Sequence, residues 1–393
     1  MKQLKDNIYF VGAMNPNLRV FDIIMRTEYG TSYNAYIVKG PEKTVLIDTV
    51  HSRFEPFFLE SIKEIVPLDK LDAIVVNHSE PDHAGSIRPL VDANPSVPVY
   101  ATAAAVKNIG KIINRDFNGN VVKNGDKLDL GGGEYLEFIP NPNVHWPDTM
   151  FTYYPAKKTV FTCDFLGAHY CEPTVTDDFI SYEECYWKAF REYYDAIMSP
   201  FKRFVLAGLD KLEKLDFDMV CNSHGPILKH RIEKAKELYR EWSQDTYKKG
   251  TAAIFYTSAY GYTETIAYTL KEELENAGKK VVIFDIINHD TAELVQAIHD
   301  SEALLFGSPT INRDAVRPVW DIMASVDPIS NKGKPCLVFG SYGWSGEAVP
   351  ALIQRAKSLG LKVYDEPVRT IFRASDEEIV SIRKAAGEFV KMF

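Results

Sequence analysis

Beyond about residue 250 the chain settles into one rhythm: a short apolar run, a polar loop, an amphipathic stretch, and the same again. Apolar runs at 252–256, 280–286, 303–306, 335–339 and 362–368 alternate with helical stretches, the last over 376–392. Two neighbouring parallel strands must be joined by a crossover, usually a helix. Five such runs separated by helices therefore specify a doubly wound parallel sheet, with its ligand expected at the carboxyl ends of the strands.

The first part of the chain follows no such rhythm. Strand-like runs at 8–13, 33–38, 44–48, 71–76, 97–102, 135–139 and 159–163 are interspersed with helical periodicity at 56–65, 103–114, 182–198 and 228–247. Strands mixed with helices in this way, with polar residues at the strand ends, predict two sheets packed face to face and covered by helices, an αββα sandwich. A charged stretch over 241–250 closes this part. The expected domains are 1–248 and 249–393.

With 46% hydrophobic and 25% charged residues the 393-residue chain reads as globular, and each part is long enough to bury its own core. The formal charge of -9 argues against nucleic acid or an anionic membrane as the main partner. Residues 1–12 carry no apolar core of signal-peptide length, and no apolar run approaches the ~20 residues of a membrane span. Cys163, Cys171, Cys185, Cys221 and Cys336 form no Cys-x-x-Cys pair, which excludes a zinc ribbon or a rubredoxin-type site in this chain. Scattered thiols in a chain of this size predict a reducing, cytoplasmic setting.

One short segment concentrates metal-binding chemistry. His78, Glu80, Asp82 and His83 fall within six residues, directly after the apolar run 71–76. Isolated His and Asp at strand ends ordinarily make loop hydrogen bonds, but four ligand-type side chains seldom crowd one loop for packing reasons. His145, Asp164 and His224 each follow a further strand-like run. The set holds four imidazoles, three carboxylates and no thiolate, a mixture that suits non-haem iron better than structural zinc. Asp148, His169, Tyr193 and Tyr194 are candidates to orient the ligands.

Three loops of the second part carry a different chemistry. Ser258, Ala259, Tyr260, Gly261, Tyr262 and Thr263 lie at the first strand-to-helix turn, where backbone N–H groups and a helix N-terminus cradle a phosphate. No Gly-x-Gly-x-x-Gly follows a strand and no Lys follows the turn, which removes the dinucleotide fingerprint and the P-loop. Ser308, Pro309, Thr310 and Asn312 follow the third strand; Ser341, Tyr342, Gly343, Trp344 and Gly346 follow the fourth. Glycines there admit a flat ring and Tyr342 or Trp344 can stack on it, so FMN is the expected ligand.

The run His78-x-Glu80-x-Asp82-His83 with the distant His145, Asp164 and His224 resembles the metallo-β-lactamase superfamily, whose zinc hydrolases have a histidine where this chain has Glu80. That substitution, together with the loop 258–263, which is similar to the flavodoxin phosphate loop, identifies the chain as resembling the flavodiiron proteins over its whole length. The resemblance implies a metallo-β-lactamase-like domain followed by a flavodoxin-like domain. It also implies two iron ions, one held by His78, Glu80 and His145, the other by Asp82, His83 and His224, with Asp164 bridging. It further implies reduction of oxygen to water or of nitric oxide to nitrous oxide, rubredoxin or a reduced deazaflavin coenzyme as electron donor, and a head-to-tail homodimer or a dimer of such dimers. Two other readings stand beside it: a zinc hydrolase with a flavodoxin-like regulatory domain, and an electron carrier with a metal-free first domain.

Overall fold

A computed structural model describes residues 1–23, 25–244 and 247–393. It divides into two compact units, Met1–Gln244 and Asp245–Phe393.

In the first unit a seven-stranded sheet runs in the order Lys2–Lys5, Ile8–Phe10, Tyr36–Lys39, Thr44–Ile47, Ala73–Val75, Val99–Ala101, Gly119–Val121. A five-stranded sheet runs Lys127–Gly131, Glu134–Pro140, Met150–Tyr154, Thr159–Cys163, Met219–Asn222. Period-two alternation sorts the side chains into layers. Tyr36, Val38, Val45 and Ile47 meet Leu128, Phe138 and Phe161 between the sheets. Ile37, Leu46 and Ile74 face outward onto Phe58, Ile62, Ile109 and Ile113. On the far side Phe151, Val160 and Val220 meet Phe190, Tyr193, Leu209 and Tyr239 of the helices. The result is the αββα sandwich.

The second unit holds a parallel sheet whose strands, counted within the unit, lie in the order 2-1-3-4-5: Lys280–Asp285, Lys248–Tyr256, Ser301–Gly307, Pro335–Tyr342, and the pair Lys362–Val363 and Val368–Ile371. Ala253, Phe255, Leu304 and Phe306 pack against helices on one face. Ala252, Ile254, Leu305 and Phe339 pack against Tyr262–Asn276 and Asp376–Phe389 on the other.

Several element boundaries differ from those expected. The fifth strand, expected over 362–368, breaks after Val363 and resumes at Val368 on the same neighbour, with Pro367 in the gap unable to donate to a ladder. The helix expected over 228–247 is Ile232–Trp242, because the Asp177 carboxylate accepts the N–H groups of Lys229, His230 and Arg231 and sets its start. The helix expected over 182–198 is regular only over Glu183–Tyr193 and loosens into a π-turn at Tyr194–Met198, just before Pro200. Among the described residues no helix is long and apolar enough to cross a membrane.

Candidate metal centre and flavin loops

The buried strand Ala73–Val75 delivers its chain end to the mouth of the sandwich, where Asp48 takes hold of it. Asp48 Oδ1 accepts the Asn77 N–H at 2.7 Å and Oδ2 accepts the Asn77 side-chain amide at 2.9 Å. Burial, only partly offset by His83 and Asn77, pushes the Asp48 carboxyl up to about 6. His78 follows immediately, and the short helix Pro81–Ala84 turns Asp82 and His83 back toward it.

Seven side chains converge there in two sets that share one carboxylate. Glu80 Oε2 lies 3.1 Å from both His78 Nε2 and His145 Nε2, and Asp164 Oδ2 lies 3.7 and 3.4 Å from the same two nitrogens. On the other side Asp164 Oδ1 lies 3.0 Å from His83 Nε2 and 3.4 Å from His224 Nε2. Asp82 completes that set, with its oxygens 3.3 Å from His83 Nε2 and 3.1 Å from His224 Nε2. Ligand atoms bonded to a common ion at about 2.0–2.2 Å sit roughly 3 to 3.6 Å apart, so both sets have the span of a coordination shell.

The polar atoms between them fit a bound cation. Both oxygens of Asp82, Nε2 of His83 and Oδ2 of Asp164 are buried with no hydrogen-bond partner. Leaving such atoms unsatisfied costs about 1–3 kcal/mol each, more when they are charged. Burial alone would raise the Asp164 carboxyl; His83, His145 and His78 overcome it and hold the group well below the usual carboxylate range. Burial likewise opposes a charge on Glu80 and on His83. The partners win, taking Glu80 down to about 2 and His83 up to about 9. The donor set fits two cations sharing Asp164.

Outer contacts aim the ligands. His78 Nδ1 faces the Asp148 carboxylate at 3.3 Å, and that carboxylate accepts the Ser79 N–H and hydroxyl at 2.7 and 2.6 Å. His224 Nδ1 donates to the Ser32 carbonyl at 2.7 Å, which leaves Nε2 to point at the cluster. Tyr193, fully buried, donates its hydroxyl to Asp164 Oδ1 at 3.1 Å. His169 Nδ1 meets Thr31 Oγ1 at 2.9 Å, while its Nε2 is buried without a partner, 5.0 Å between ring centres from both Tyr193 and His224. Burial, reinforced by His224, depresses its pKa and keeps the ring neutral.

In the second unit the three expected loops lie at the carboxyl ends of adjacent strands, beside the point where the strand order reverses. Gly261 precedes the helix Tyr262–Asn276 with φ +82, and Ser258 Oγ of the same loop accepts one of the helix's first N–H groups, that of Glu264, at 3.3 Å. Several of the expected ligand side chains instead tie the loops together. Thr263 Oγ1 and Ser341 Oγ share a hydrogen bond of 2.8 Å, and the Thr310 hydroxyl accepts the Ala348 N–H at 3.3 Å. Ser308 is buried, donating to the Pro309 carbonyl and accepting the Val316 N–H. Tyr260 and Trp344 stand out at 85% and 84% exposure, large rings with no protein partner to cover them.

Residues 31–225 match the family described as ODP family beta lactamase, and residues 254–382 match Flavodoxin. The Flavo-diiron protein FprA2 of Clostridium acetobutylicum is 45% identical over 99% of this chain and 98% of its own length. The chain belongs to the flavodiiron protein family. The anaerobic nitric oxide reductase flavorubredoxin of Shigella dysenteriae is 33% identical over 92% of this chain and 76% of its own length. The solved rubredoxin oxygen:oxidoreductase of Desulfovibrio gigas superposes with a TM-score of 0.69 at 26% identity, covering 99% of this chain and 98% of that one. As a flavodiiron protein the chain is an oxidoreductase whose cofactors are FMN and a non-haem diiron centre, and the hydrolase and carrier readings fall away.

One expected residue stands elsewhere. Tyr194 belongs to the helical layer: its hydroxyl shares a hydrogen bond with Ser243 at 2.8 Å and its ring lies 5.0 Å from Tyr239 and 5.1 Å from Trp242. Successive helical residues point about 100° apart, so Tyr193 can reach Asp164 only if Tyr194 turns away. Sequence reasoning passed over Asp48, Ser32, Thr31 and Phe21, whose ring lies 4.3 Å from that of His169. Only Asp48 carried a signal, as a carboxylate directly after the apolar strand Thr44–Ile47.

Proposed function

We propose that this flavodiiron protein reduces oxygen to water, nitric oxide to nitrous oxide, or both, with electrons from rubredoxin or a reduced deazaflavin coenzyme. His78, Glu80 and His145 hold one iron, Asp82, His83 and His224 the other, and Asp164 bridges them. The observation that carries this reading is the division of the Asp164 oxygens between the two ligand sets, with both oxygens of Asp82, Nε2 of His83 and Oδ2 of Asp164 itself buried and unsatisfied. The printed names of two relatives, an oxygen oxidoreductase and a nitric oxide reductase, support the gases.

When bound, FMN and an iron pair would supply redox chemistry of two electrons each, together the four that one oxygen molecule needs. The chain supplies the rest. Loops 258–263, 308–312 and 341–346 seat the flavin, with Gly261 letting backbone approach the phosphate and Tyr342 or Trp344 flanking the ring. Asp148 and Ser32 hold His78 and His224 in the orientation that presents Nε2. Tyr193 and the neutral His169 stand beside the cluster as hydrogen-bond donors to a bound gas or to Asp164. The two cofactors lie on separate units of one chain, and a head-to-tail homodimer brings each flavin to the partner's iron pair.

The test is metal and flavin analysis joined to assay. Protein loaded anaerobically is expected to hold two irons and one FMN per chain and to consume either gas when reduced rubredoxin or deazaflavin is supplied. Zinc in place of iron with no gas uptake would sink the reading. For the dimer, a flavin-deficient variant mixed with an iron-deficient one should regain activity as subunits exchange; a fully active monomer would exclude it.

A further inference from the structure

The two ligand sets differ in how far their own members satisfy one another. Glu80 Oε2 lies between His78 Nε2 and His145 Nε2, 3.1 Å from each, so the carboxylate can accept from either ring. Among the described residues no atom of these three side chains is buried without a partner. In the other set both oxygens of Asp82 and both ring nitrogens of His83 are buried and unpaired. Unpaired buried polar atoms are costly, so an ion gains more by entering this set. The backing differs as well. Asp82 and His83 stand on Pro81–Ala84, where the His83 carbonyl accepts both the N–H and the hydroxyl of Thr49, at 2.7 and 2.8 Å. His224 is held by the Ser32 carbonyl. His145 stands instead on the loop 141–149, closed at its neck by the Asn141 N–H on the Thr149 carbonyl at 2.9 Å. The same loop carries Asp148, which faces His78. The helix Lys202–Leu212 grips this loop along its length. Phe201, just before the helix, lies 6.4 Å from His145, centre to centre. The Gly208 backbone packs so closely on Asn141 that a Cβ there would stand 2.6 Å from the amide nitrogen. Lys211, half-buried, donates to the Pro140 carbonyl at 2.7 Å and to Asn141 Oδ1 at 3.0 Å. Burial, reinforced by Lys214, lowers its pKa, and no carboxylate offsets the loss of water. This ammonium therefore bonds the stem of one loop and has no counter-charge.

We propose that the two metal positions are unequal: Asp82, His83 and His224 take the first ion and keep it, whereas His78, Glu80 and His145 form an exchangeable position whose hold on metal is set by Lys211 through the loop 141–149. The inference rests on the two-iron reading of the cluster. Lys211 bonds no ligand side chain and is a positioning residue. It fixes Pro140 and Asn141, and through them the place of His145 and Asp148. Nothing comparable depends on it in the other set, whose ligands are braced by Thr49 and Ser32. Loosening the loop should therefore weaken one position and spare the other.

The test is release of Fe(II) from the complete, anaerobically reduced protein into excess ferrozine, a chelator that colours as it binds Fe(II). The parent should lose its irons in two phases of equal amplitude, with rates that differ at least several-fold. Lys211→Met should speed the faster phase roughly tenfold, the effect of removing an outer contact of a ligand, and leave the slower phase and the FMN content unchanged. Lys211→Arg keeps donors for both oxygens and should restore the parent rate. Gly208→Ala pushes on Asn141 without removing a charge. It should speed the same phase, and it carries the test if Lys211→Met does not fold. Lys214→Met, at an exposed position, should change nothing. His145→Ala should keep one slowly released iron per chain, while any iron in His224→Ala should leave in the fast phase. Both irons leaving the parent in a single phase, Lys211→Met speeding both phases alike, or a slow iron in His224→Ala overturns the inequality and leaves the two-iron reading standing. A parent protein that holds fewer than two irons after anaerobic loading overturns both.

Discussion

Five of the seven side chains in the metal cluster are at most 7% exposed, and those of Glu80 and His145 are 16% exposed; at the loops of the second unit Tyr260 and Trp344 are above 80%. The first site is assembled from side-chain atoms that the fold has already taken out of water, so their charges must be answered by ions or protons. The second is assembled from backbone conformation and loop-to-loop hydrogen bonds, and leaves the rings of Tyr260 and Trp344 exposed. Damage should therefore follow different rules in the two places. In the cluster single atoms matter. In the loops backbone shape matters more than any one side chain.

The sharpest way to break this comparison is Asp164→Ala. It removes the one carboxylate that both ligand sets share, so both irons should be lost and gas reduction abolished, with FMN content near normal; metal analysis that finds one iron retained in full would show that the sets are independent. Next comes pH. In the metal-free protein His83 is protonated up to about 9, and His78 and His145 are also raised by their carboxylate partners once burial is overcome. Iron must displace these protons. Affinity for Fe(II) should therefore climb by about tenfold per pH unit for each proton released, the His83 contribution ending above about 9. Calorimetry in buffers of different ionisation heat counts the protons, and a release of none would contradict the charge arrangement. FMN affinity between pH 7 and 9 should stay flat by comparison.

Smaller effects sharpen the contrast. Asp148→Asn keeps the shape around His78 but weakens its orientation, and should lower iron affinity by roughly 10–100-fold without touching flavin content. Gly261→Val should do the reverse. Nothing but the Glu264 carboxylate, at 3.9 Å, would meet its Cβ, so its cost comes from φ +82, about 1–3 kcal/mol for a side chain forced into that region. FMN should bind roughly 5–100-fold more weakly, measured by flavin fluorescence, with two irons retained. The smallest change is expected for Trp344→Ala: a several-fold loss of FMN affinity and a stability within about 0.5 kcal/mol of the parent, because the ring packs on little protein.

The strand and helix sequence of the second unit was legible because buried parallel strands are apolar throughout and nothing else in the chain alternates so regularly. The fifth strand misled because its apolar letters continue past the point where Pro367 breaks the ladder. In the first unit the strand Lys127–Gly131 was passed over: its Lys and Asp face solvent at a sheet edge, and only Leu128 and Leu130 mark the buried face. The ligand letters of the metal cluster could be read because carboxylates and imidazoles stand out against apolar strands. The contacts that orient them could not, since Ser32 acts through its backbone carbonyl, which every residue has.

From its sequence alone the chain declared two kinds of layer, the residues able to hold metal, and the loops at the carboxyl ends of the parallel strands, because burial periodicity and donor chemistry are properties of the letters. Tertiary structure decided that Asp164 splits its two oxygens between the ligand sets, that Tyr193 and not Tyr194 reaches it, and that Ser308 and Thr263 hold loops together instead of facing outward. Each of these depends on which atoms, far apart in the chain, come within about 3 Å of one another. Hydrogen bonds and metal bonds have that range, and only the packed layers bring such atoms within it.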